Sequence, residues 1–439
     1  MRVLALIYMV AALGSIHSTE VLVSDSKQAW QVTGNSALPS SLKSPYPEIA
    51  VVASNTVLIG YADTSGKYRI RVIRDSSVSN FAEMDCFPDH ERVGRLPQMM
   101  ADSGGLVICS VSRDVSPTGH TVDVISLDAD GMPKSGSVKI VLPKQRPFPK
   151  SKYYVFDTAI PIAPARDSYL VVGEFIEVYL SHGLIPIVPD PEGYRKNVAI
   201  TLNGSQLSRL KRIEDKGRFY VSMADYAVLT NGVARCAWIR CSGPPFSKER
   251  TETVCYSVLL ADNWSAPKVI VSQRSQNGMS FEDVAVTGTE KEALLVWARD
   301  RDGFYSVAVT NGNVSPPLRL GDWQDYDSNW EEGVAMMRGA PCCDVYSDAK
   351  GDMFVVWVLN RREKSAELGI EHRIVLRWRS GGVWMPEVTL SNGGGLVRSP
   401  RVLADCSGRV HVAYLRQVDS RQFGCFYRSL AKEELRATH

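Results

Sequence analysis

The chain has 439 residues, of which 44% are hydrophobic and 22% charged, so it can bury a core and does not have the composition of a disordered protein. A formal net charge of +2 gives no basis for binding nucleic acid or an anionic membrane surface. This length fits two or three ordinary domains or one large all-β domain.

The first eighteen residues, "MRVLALIYMVAALGSIHS", have the pattern of a secretory signal peptide. One arginine precedes an apolar run from Val3 to Leu13, and small residues follow. The run is too short to span a bilayer, and no later run is apolar enough to form a membrane helix. We therefore expect residues 1–18 to be a signal peptide and the mature chain, residues 19–439, to be secreted or periplasmic with no membrane span.

An alternating strand pattern recurs along the mature chain, and each copy ends in a marker residue that is usually aromatic. The seven markers in chain order are Tyr61, Val111, Phe175, Trp238, Trp297, Trp357 and Tyr414. Another strand leads into each marked strand, and further short strands follow it. Units of about 40–60 residues with four short strands are typical of a β-propeller. The sequence predicts an all-β fold, a seven-bladed propeller of four-stranded blades; six or eight blades would require one misassigned unit.

The last unit has no room for a fourth strand before the chain ends. The N-terminal segment "QAWQVTG", residues 28–34, offers one, and its Trp30 matches the tryptophan that precedes other fourth strands. An N-terminal strand that completes the last blade would close the ring and remove an exposed sheet edge. We therefore expect residues 19–439 to form a single β-propeller domain.

Two Asp-x-x-Gly segments, Asp348 to Gly351 and Asp405 to Gly408, fall between the first and second strands of their units. Glycine supplies positive φ and aspartate bonds its own backbone in tight turns, so these residues are predicted to be structural. Trp297 and Trp357 are expected to pack between blades.

The nine cysteines have no zinc-site spacing, and the histidines have no metal-ligand spacing. We expect most of the cysteines to be buried in strands as small hydrophobic residues. The sequence indicates no cofactor, no metal and no assignable catalytic residue.

Four arginines lie two residues after their markers, namely Arg113, Arg240, Arg299 and Arg416. Guanidinium groups around a funnel mouth would suit a carboxylate or sulfate by bidentate hydrogen bonding. An acidic set near the start of the first strands would lie on the same face: Glu48, Asp157, Asp225, Glu282, Asp283 and Asp344. From the two sets we predict a ligand-binding site that comprises the four arginines with Asp157, Glu282 and Asp283. In the alternative, the two sets form ion pairs between blades and bind no ligand.

The repeats, as in "PRVLADCSGRVHVAYLR", resemble those of the sialidase-like β-propeller superfamily and of secreted bacterial propellers. The segment "SDAKGDMFVVW" echoes the Asp-box of that superfamily, although it lies between first and second strands. The catalytic motifs of sialidases are not matched, since no Arg-Ile-Pro motif lies near the N-terminus. The sequence thus favours a non-catalytic binding scaffold for a protein or glycan. The alternative is a sialidase-like or other glycan-active hydrolase that uses the propeller funnel.

Overall fold

A computed structural model describes residues 20–24 and 47–437 apart from connecting segments, of which the longest are 25–46, 85–97, 178–193 and 323–341. The predicted signal peptide lies outside the described residues. Thirty-two strands, β1–β32, and one short helix, α1 (Lys432–Ala437), make the described chain nearly all β.

The described strands form seven antiparallel sheets, which we number 1–7 in the order of their first strands. Sheet 1 contains β2 (Glu48–Ala53), β3 (Thr56–Ala62), β4 (Tyr68–Arg74) and β5 (Ser77–Met84). Sheet 2 contains β6 (Gln98–Asp102), β7 (Gly105–Arg113), β8 (His120–Leu127) and β9 (Val138–Val141). Sheet 3 contains β10 (Lys152–Pro161), β11 (Ser168–Glu177), β12 (Tyr194–Asn203), β13 (Gln206–Leu207) and β14 (Lys211–Arg212).

Sheet 4 contains β15 (Phe219–Val228), β16 (Ala234–Ser242), β17 (Thr251–Leu260), β18 (Asn263–Trp264) and β19 (Lys268–Arg274). Sheet 5 contains β20 (Phe281–Gly288), β21 (Glu292–Arg299), β22 (Gly303–Thr310), β23 (Asn313–Val314) and β24 (Leu318–Asp322). Sheet 6 contains β25 (Cys343–Ser347), β26 (Met353–Arg362), β27 (Ile370–Ser380), β28 (Val383–Trp384) and β29 (Val388–Thr389). Sheet 7 contains β30 (Val397–Ala404), β31 (Arg409–Gln417), β32 (Phe423–Ala431) and β1 (Val21–Leu22).

The first strands of successive sheets lie against one another. β2 contacts β6, β6 contacts β10, and β15, β20, β25 and β30 contact each other in turn. β12 contacts β15, which joins sheets 3 and 4, and β30 contacts β2, which joins the last sheet to the first. This arrangement is consistent with an all-β propeller, as the repeat in the sequence predicts.

An N-terminal strand completes sheet 7. Val21 pairs with Tyr427 and Leu22 pairs with Phe426 on β32. The Val23 amide also donates to the Cys425 carbonyl at 2.8 Å. Residues 21–22 thus occupy the edge position that we predicted for residues 28–34, and that predicted segment lies outside the described residues.

The core lies between neighbouring sheets. Trp357 of sheet 6 is 0% exposed and lies 5.8 Å from Phe304 of sheet 5, measured between ring centroids. Trp297 is buried in a cluster that contains Ile239 and Tyr256 of sheet 4. The prediction that Trp297 and Trp357 pack between sheets is confirmed, and burial of such large rings accounts for much of the cohesion between sheets.

The two Asp-x-x-Gly segments form tight turns, as predicted. Asp348 Oδ1 accepts hydrogen bonds from the backbone amides of Lys350 and Asp352, both at 2.9 Å. The Gly351 amide donates to the Asp348 carbonyl, and Gly351 has φ +86°. The turn at Asp405 repeats this geometry, with Gly408 at φ +91°.

None of the cysteines whose side chains the structure describes forms a disulfide, and all of them except Cys406 are buried. Their role as small core residues is confirmed for the part of the chain that the structure describes. Within the same part of the chain, no helix is long and apolar enough to cross a bilayer.

Candidate functional site

Polar residues occupy one equivalent position in several first strands. This position pairs with the residue just before the marker on the second strand. Its occupants include Glu48 opposite Gly60, Asp225 opposite Ala237, Asp344 opposite Val356, and Arg401 opposite Ala413. Since β15, β20, β25, β30 and β2 contact one another in series, equivalent positions on these strands bring the four side chains to one level of the fold.

The four side chains line a cavity of about 860 Å³, which we call the axial cavity. Gln98, at the start of β6, also contributes to its wall. The lining continues toward the turns that join first and second strands, at residues 289–291 and 348–351. A volume of this size accommodates a ligand of several sugar rings or a drug-sized molecule.

Arg401 links two carboxylates from different sheets. Its Nη2 atom donates to Glu48 Oε1 at 2.6 Å, and its Nη1 atom donates to Asp344 Oδ1 at 3.1 Å. Gln98 Nε2 donates to the same Glu48 oxygen at 2.9 Å. Sheets 6, 7, 1 and 2 therefore meet in one polar network at the cavity wall.

Burial raises the pKa of Asp344 to about 6, against an ordinary value of 3.8. Arg401 and the Val402 amide, which donates to Asp344 Oδ2 at 2.8 Å, lower this pKa, whereas the charges of Asp225 and Glu48 raise it further. The desolvation effect wins, as expected for a carboxyl group removed from water. Asp344 thus gains and loses its proton near neutral pH.

Two carboxylate oxygens of the axial cavity have no hydrogen-bond donor among the described residues. Asp225 Oδ2 accepts from the Val286 amide at 2.8 Å, which leaves Oδ1 for a ligand. Glu48, only 7% exposed, uses Oε1 for Arg401 and Gln98, which leaves Oε2. In each side chain, one carboxylate oxygen is fixed by hydrogen bonds from the protein, and the other is left for a ligand.

The turns at the cavity rim are fixed by neighbouring sheets. The Arg235 guanidinium of sheet 4 donates to the Thr289 carbonyl. The Ser347 hydroxyl donates to the Gly288 carbonyl at 2.5 Å. Lys432 Nζ lies 2.6 Å from Asp348 Oδ2, which ties helix α1 to the turn of sheet 6. A rim held by three sheets is preorganised, so binding there costs little ordering entropy.

Asp283, one of the predicted ligand residues, bonds the backbone of the next sheet. Its Oδ2 atom accepts from the amides of Cys342 at 2.8 Å and Cys343 at 3.1 Å, and Oδ1 accepts from Val284 at 2.9 Å. Asp283 is 2% exposed and is not part of the axial cavity wall. The structure gives this carboxylate a structural partner on each oxygen.

Three of the four predicted ligand-binding arginines have described side chains. They lie toward the ends of their second strands, and none of them lines the axial cavity. Arg299 Nη1 forms an exposed ion pair with Asp302 at 3.1 Å. Arg416 forms an ion pair with Glu20 and lies over the Phe426 ring at 3.8 Å. Arg240 pairs with Val221 in the sheet 4 ladder. Arg299 and Arg416 thus form ion pairs at the edges of their own sheets, with residues outside the predicted acidic set, so neither pair is one of the predicted pairs between blades.

The remaining predicted site residues lie in strands, but their side chains are outside the described part of the chain. Arg113 ends β7 and pairs with His120. Asp157 falls at a register shift in β10, and Glu282 falls at one in β20. Their roles stay predictions.

Sequence inspection missed Gln98 and Arg401, although it placed Glu48, Asp225 and Asp344 in the acidic set. Arg401 occupies the first-strand position that pairs with the residue before the marker, and that position is the signal that would have found it. The four predicted arginines lie instead on the second strand, two residues after their markers. Among the described residues, no group of three histidine, cysteine or acidic side chains is arranged to hold a metal ion.

No family model matches the chain, and no curated protein matches its sequence. Among solved structures, a protein of unknown function from Dyadobacter fermentans has 10% identity and a TM-score of 0.44, over 93% of this chain and 97% of that chain. A sialidase from Trypanosoma rangeli has 10% identity and a TM-score of 0.42, over 91% of this chain and 60% of that chain. An α-L-arabinanase from Penicillium chrysogenum has 13% identity and a TM-score of 0.43, over 77% and 92%. All three TM-scores are below 0.5, so these structures do not assign a function to this chain.

Proposed function

We propose that this protein is an exported, seven-bladed β-propeller that hydrolyses a glycan in its axial cavity. The blades are the seven described sheets, closed by the contact of β30 with β2 and by strand β1 on β32. The mature protein, residues 19–439, forms one domain, and removal of the signal peptide at residues 1–18 delivers it to the periplasm or the exterior. Of the two functions that the sequence leaves open, we thus propose the glycan-active hydrolase ahead of the non-catalytic binding scaffold.

The observation that carries this proposal is the pair of carboxyl groups that share Arg401. Glycoside hydrolysis uses two carboxyl groups about 5–10 Å apart on either side of the scissile bond. Because one guanidinium reaches both Glu48 and Asp344, their carboxyl groups are no farther apart than such a pair. Both face a cavity large enough for sugar rings.

Asp344 is the proton donor of the proposed reaction. Its raised pKa, about 6, keeps a substantial protonated fraction at mildly acidic pH, as a general acid requires. It would protonate the glycosidic oxygen as the bond to the anomeric carbon breaks. Arg401 then stabilises the carboxylate that remains.

Glu48 is the second carboxylate. Arg401 and Gln98 fix Oε1, so that Oε2 is directed by two hydrogen bonds. This oxygen would either take a proton from the attacking water or bond to the anomeric carbon itself, depending on the spacing in the bound state. Asp225 would bind a polar group of the sugar through Oδ1.

A non-catalytic scaffold is the second candidate function. It is favoured by the contacts that Asp225 and Asp344 make with the next sheet, since each accepts a hydrogen bond from a first-strand amide. In that case, these carboxylates hold the sheets together, and the cavity binds its ligand without turnover.

Purified mature protein incubated with a panel of polysaccharides and aryl glycosides distinguishes the two functions. We expect new reducing ends with the native protein, and a loss of about 10²–10⁴-fold in turnover for Asp344→Asn and Glu48→Gln. Asp302→Asn is the matched control, because Asp302 does not line the axial cavity and its partners, Arg299, Arg319 and Tyr305, all belong to sheet 5. The absence of turnover on every substrate, with binding retained, would support the scaffold instead.

A further inference from the structure

The fixed charges in the depth of the axial cavity are predominantly negative. Three carboxyl groups, of Glu48, Asp225 and Asp344, line it together with one guanidinium, of Arg401. That guanidinium already forms ion pairs with Glu48 at 2.6 Å and with Asp344 at 3.1 Å. Asp225 forms no ion pair with any described residue, and its charge contributes to the raised pKa of Asp344.

Charges at the rim do not offset this excess. Asp348 is neutralised by Lys432 at 2.6 Å. Glu290, Lys291 and Lys350 are exposed on the turns, where water and salt screen them. The negative charge that remains unneutralised therefore lies deep in the axial cavity. A ligand bound there loses its own hydration, and interactions between charges are strongest there.

Two oxygens are available to a ligand at this depth. Glu48 is more than nine-tenths buried and lines the cavity, and no described residue donates a hydrogen bond to its Oε2. Asp225 is partly buried and also lines the cavity, and its Oδ1 has no described donor, since the Val286 amide donates to Oδ2. The two acceptor oxygens, Glu48 Oε2 and Asp225 Oδ1, favour a ligand group that carries several N–H or O–H donors.

We infer that the axial cavity selects glycans with a protonated amine over neutral glycans, and that it excludes glycans with a carboxylate or sulfate at the unit bound in its depth. This inference rests on the proposed function for the sugar nature of the ligand. An ammonium group is a triple donor with a positive charge, and a hydrogen bond from it to the carboxylate of Asp225 or Glu48 is charge-assisted. A carboxylate in the same place faces three carboxyl groups, and the one guanidinium beside them is already ion-paired with Glu48 and Asp344. The preference is opposite to the one that the arginines at the second-strand ends suggested.

Binding measurements on matched oligosaccharides test the inference. Each set has amine, hydroxyl and carboxylate forms of one gluco-, galacto- or manno-configured backbone, titrated into the Asp344→Asn variant so that turnover is slow compared with the titration. We expect at least one backbone to bind about tenfold more tightly as the amine than as the hydroxyl form, and the carboxylate form to bind least. Asp225→Asn should remove most of the amine preference while Asp302→Asn leaves it unchanged. Asparagine retains an oxygen for the Val286 amide, so the fold is preserved.

The outcomes separate this inference from the proposed reaction. Amine-selective binding without hydrolysis by the native protein overturns the reaction but supports the selectivity. Preferred binding of the carboxylate form, or an amine preference that survives Asp225→Asn, overturns the selectivity even if hydrolysis is found. Failure of every backbone to bind, in every form, overturns both.

Discussion

Asp283 and Asp344 are both buried aspartates near the start of a first strand, and both accept hydrogen bonds from the next sheet. Asp283 joins sheets 5 and 6 through two backbone amides, and both of its oxygens are occupied by the protein. Asp344 joins sheets 6 and 7 through one amide and shares Arg401 with Glu48 at the cavity wall. Both oxygens of Asp344 are occupied as well, but one of them by a guanidinium at the cavity wall, so the same residue type serves cohesion alone at one junction and also lines the axial cavity at the other.

The difference follows from register. Asp344 pairs opposite the residue before Trp357, whereas Asp283 pairs opposite the residue after Trp297. Ala285 pairs opposite the residue before Trp297, so that a methyl group replaces the carboxyl group in sheet 5. A shift of two residues along the strand separates a structural carboxylate from one that lines the axial cavity.

Asp283→Ala should produce the largest effect on stability. It leaves the buried amides of Cys342 and Cys343 without their acceptor, and we expect a loss of about 3–5 kcal/mol in the free energy of unfolding. Urea unfolding measures this loss, with Asp302→Ala as the partly exposed control at about 1 kcal/mol, since Asp302 loses the hydrogen bond from Tyr305 and its pairs with Arg299 and Arg319. Turnover per folded molecule should stay at the native level. A stable Asp283→Ala protein that has lost its activity would reverse the roles assigned to the two junctions.

Deletion of residues 20–24 should come next. These residues supply strand β1, the bond from Val23 to the Cys425 carbonyl at 2.8 Å, and the bond from the Cys425 amide to Ser24 Oγ at 2.9 Å. We expect a loss of about 2–4 kcal/mol, and aggregation through the uncovered edge of β32. Thermal unfolding and light scattering measure the two effects. An unchanged melting temperature would show that strand β1 contributes nothing to the stability of sheet 7.

The pH dependence of stability sharpens the comparison at Asp344. Its folded-state pKa, about 6, lies above the ordinary value of 3.8, so the folded state binds the proton more tightly. The stability gained from this proton is present below about pH 4 and is lost as pH rises through about 6. We expect the native protein to lose about 1–3 kcal/mol over this window relative to Asp344→Asn. Parallel pH profiles for the two proteins would place Asp344 in a more polar environment.

Two of the predicted ligand-binding arginines, Arg416 and Arg299, should differ in a smaller way. Arg416→Ala removes a partly buried partner of Glu20 and a contact with Phe426, at a cost of about 1–2 kcal/mol. Arg299→Ala removes an exposed ion pair with Asp302, at a cost below about 0.5 kcal/mol. Neither variant should change glycan affinity, as measured by titration calorimetry. Loss of glycan affinity in either variant would instead indicate that the ligand site lies at the ends of the second strands.

The strands, the turns at Asp348 and Asp405, and the buried Trp357 could be predicted because each is encoded by a local pattern. The axial network could not, since Arg401 and Glu48 are 353 residues apart and meet only through the contact of β30 with β2. Their register depends on how each first strand pairs, and register shifts occur in β2 and β30 themselves. An alternating pattern indicates which residues share a face, but it does not show how many residues a bulge inserts.

The dependence of kcat/KM on pH, measured on the best substrate of the glycan panel, tests the central claim most directly. We predict a decline as pH rises through about 6, because Asp344 must carry the proton that it donates. The residual rate of Asp344→Asn should lack this decline, while Asp302→Asn retains it. Full activity of Asp344→Asn with an unchanged pH profile would contradict the assignment of the axial carboxyl pair as the catalytic centre.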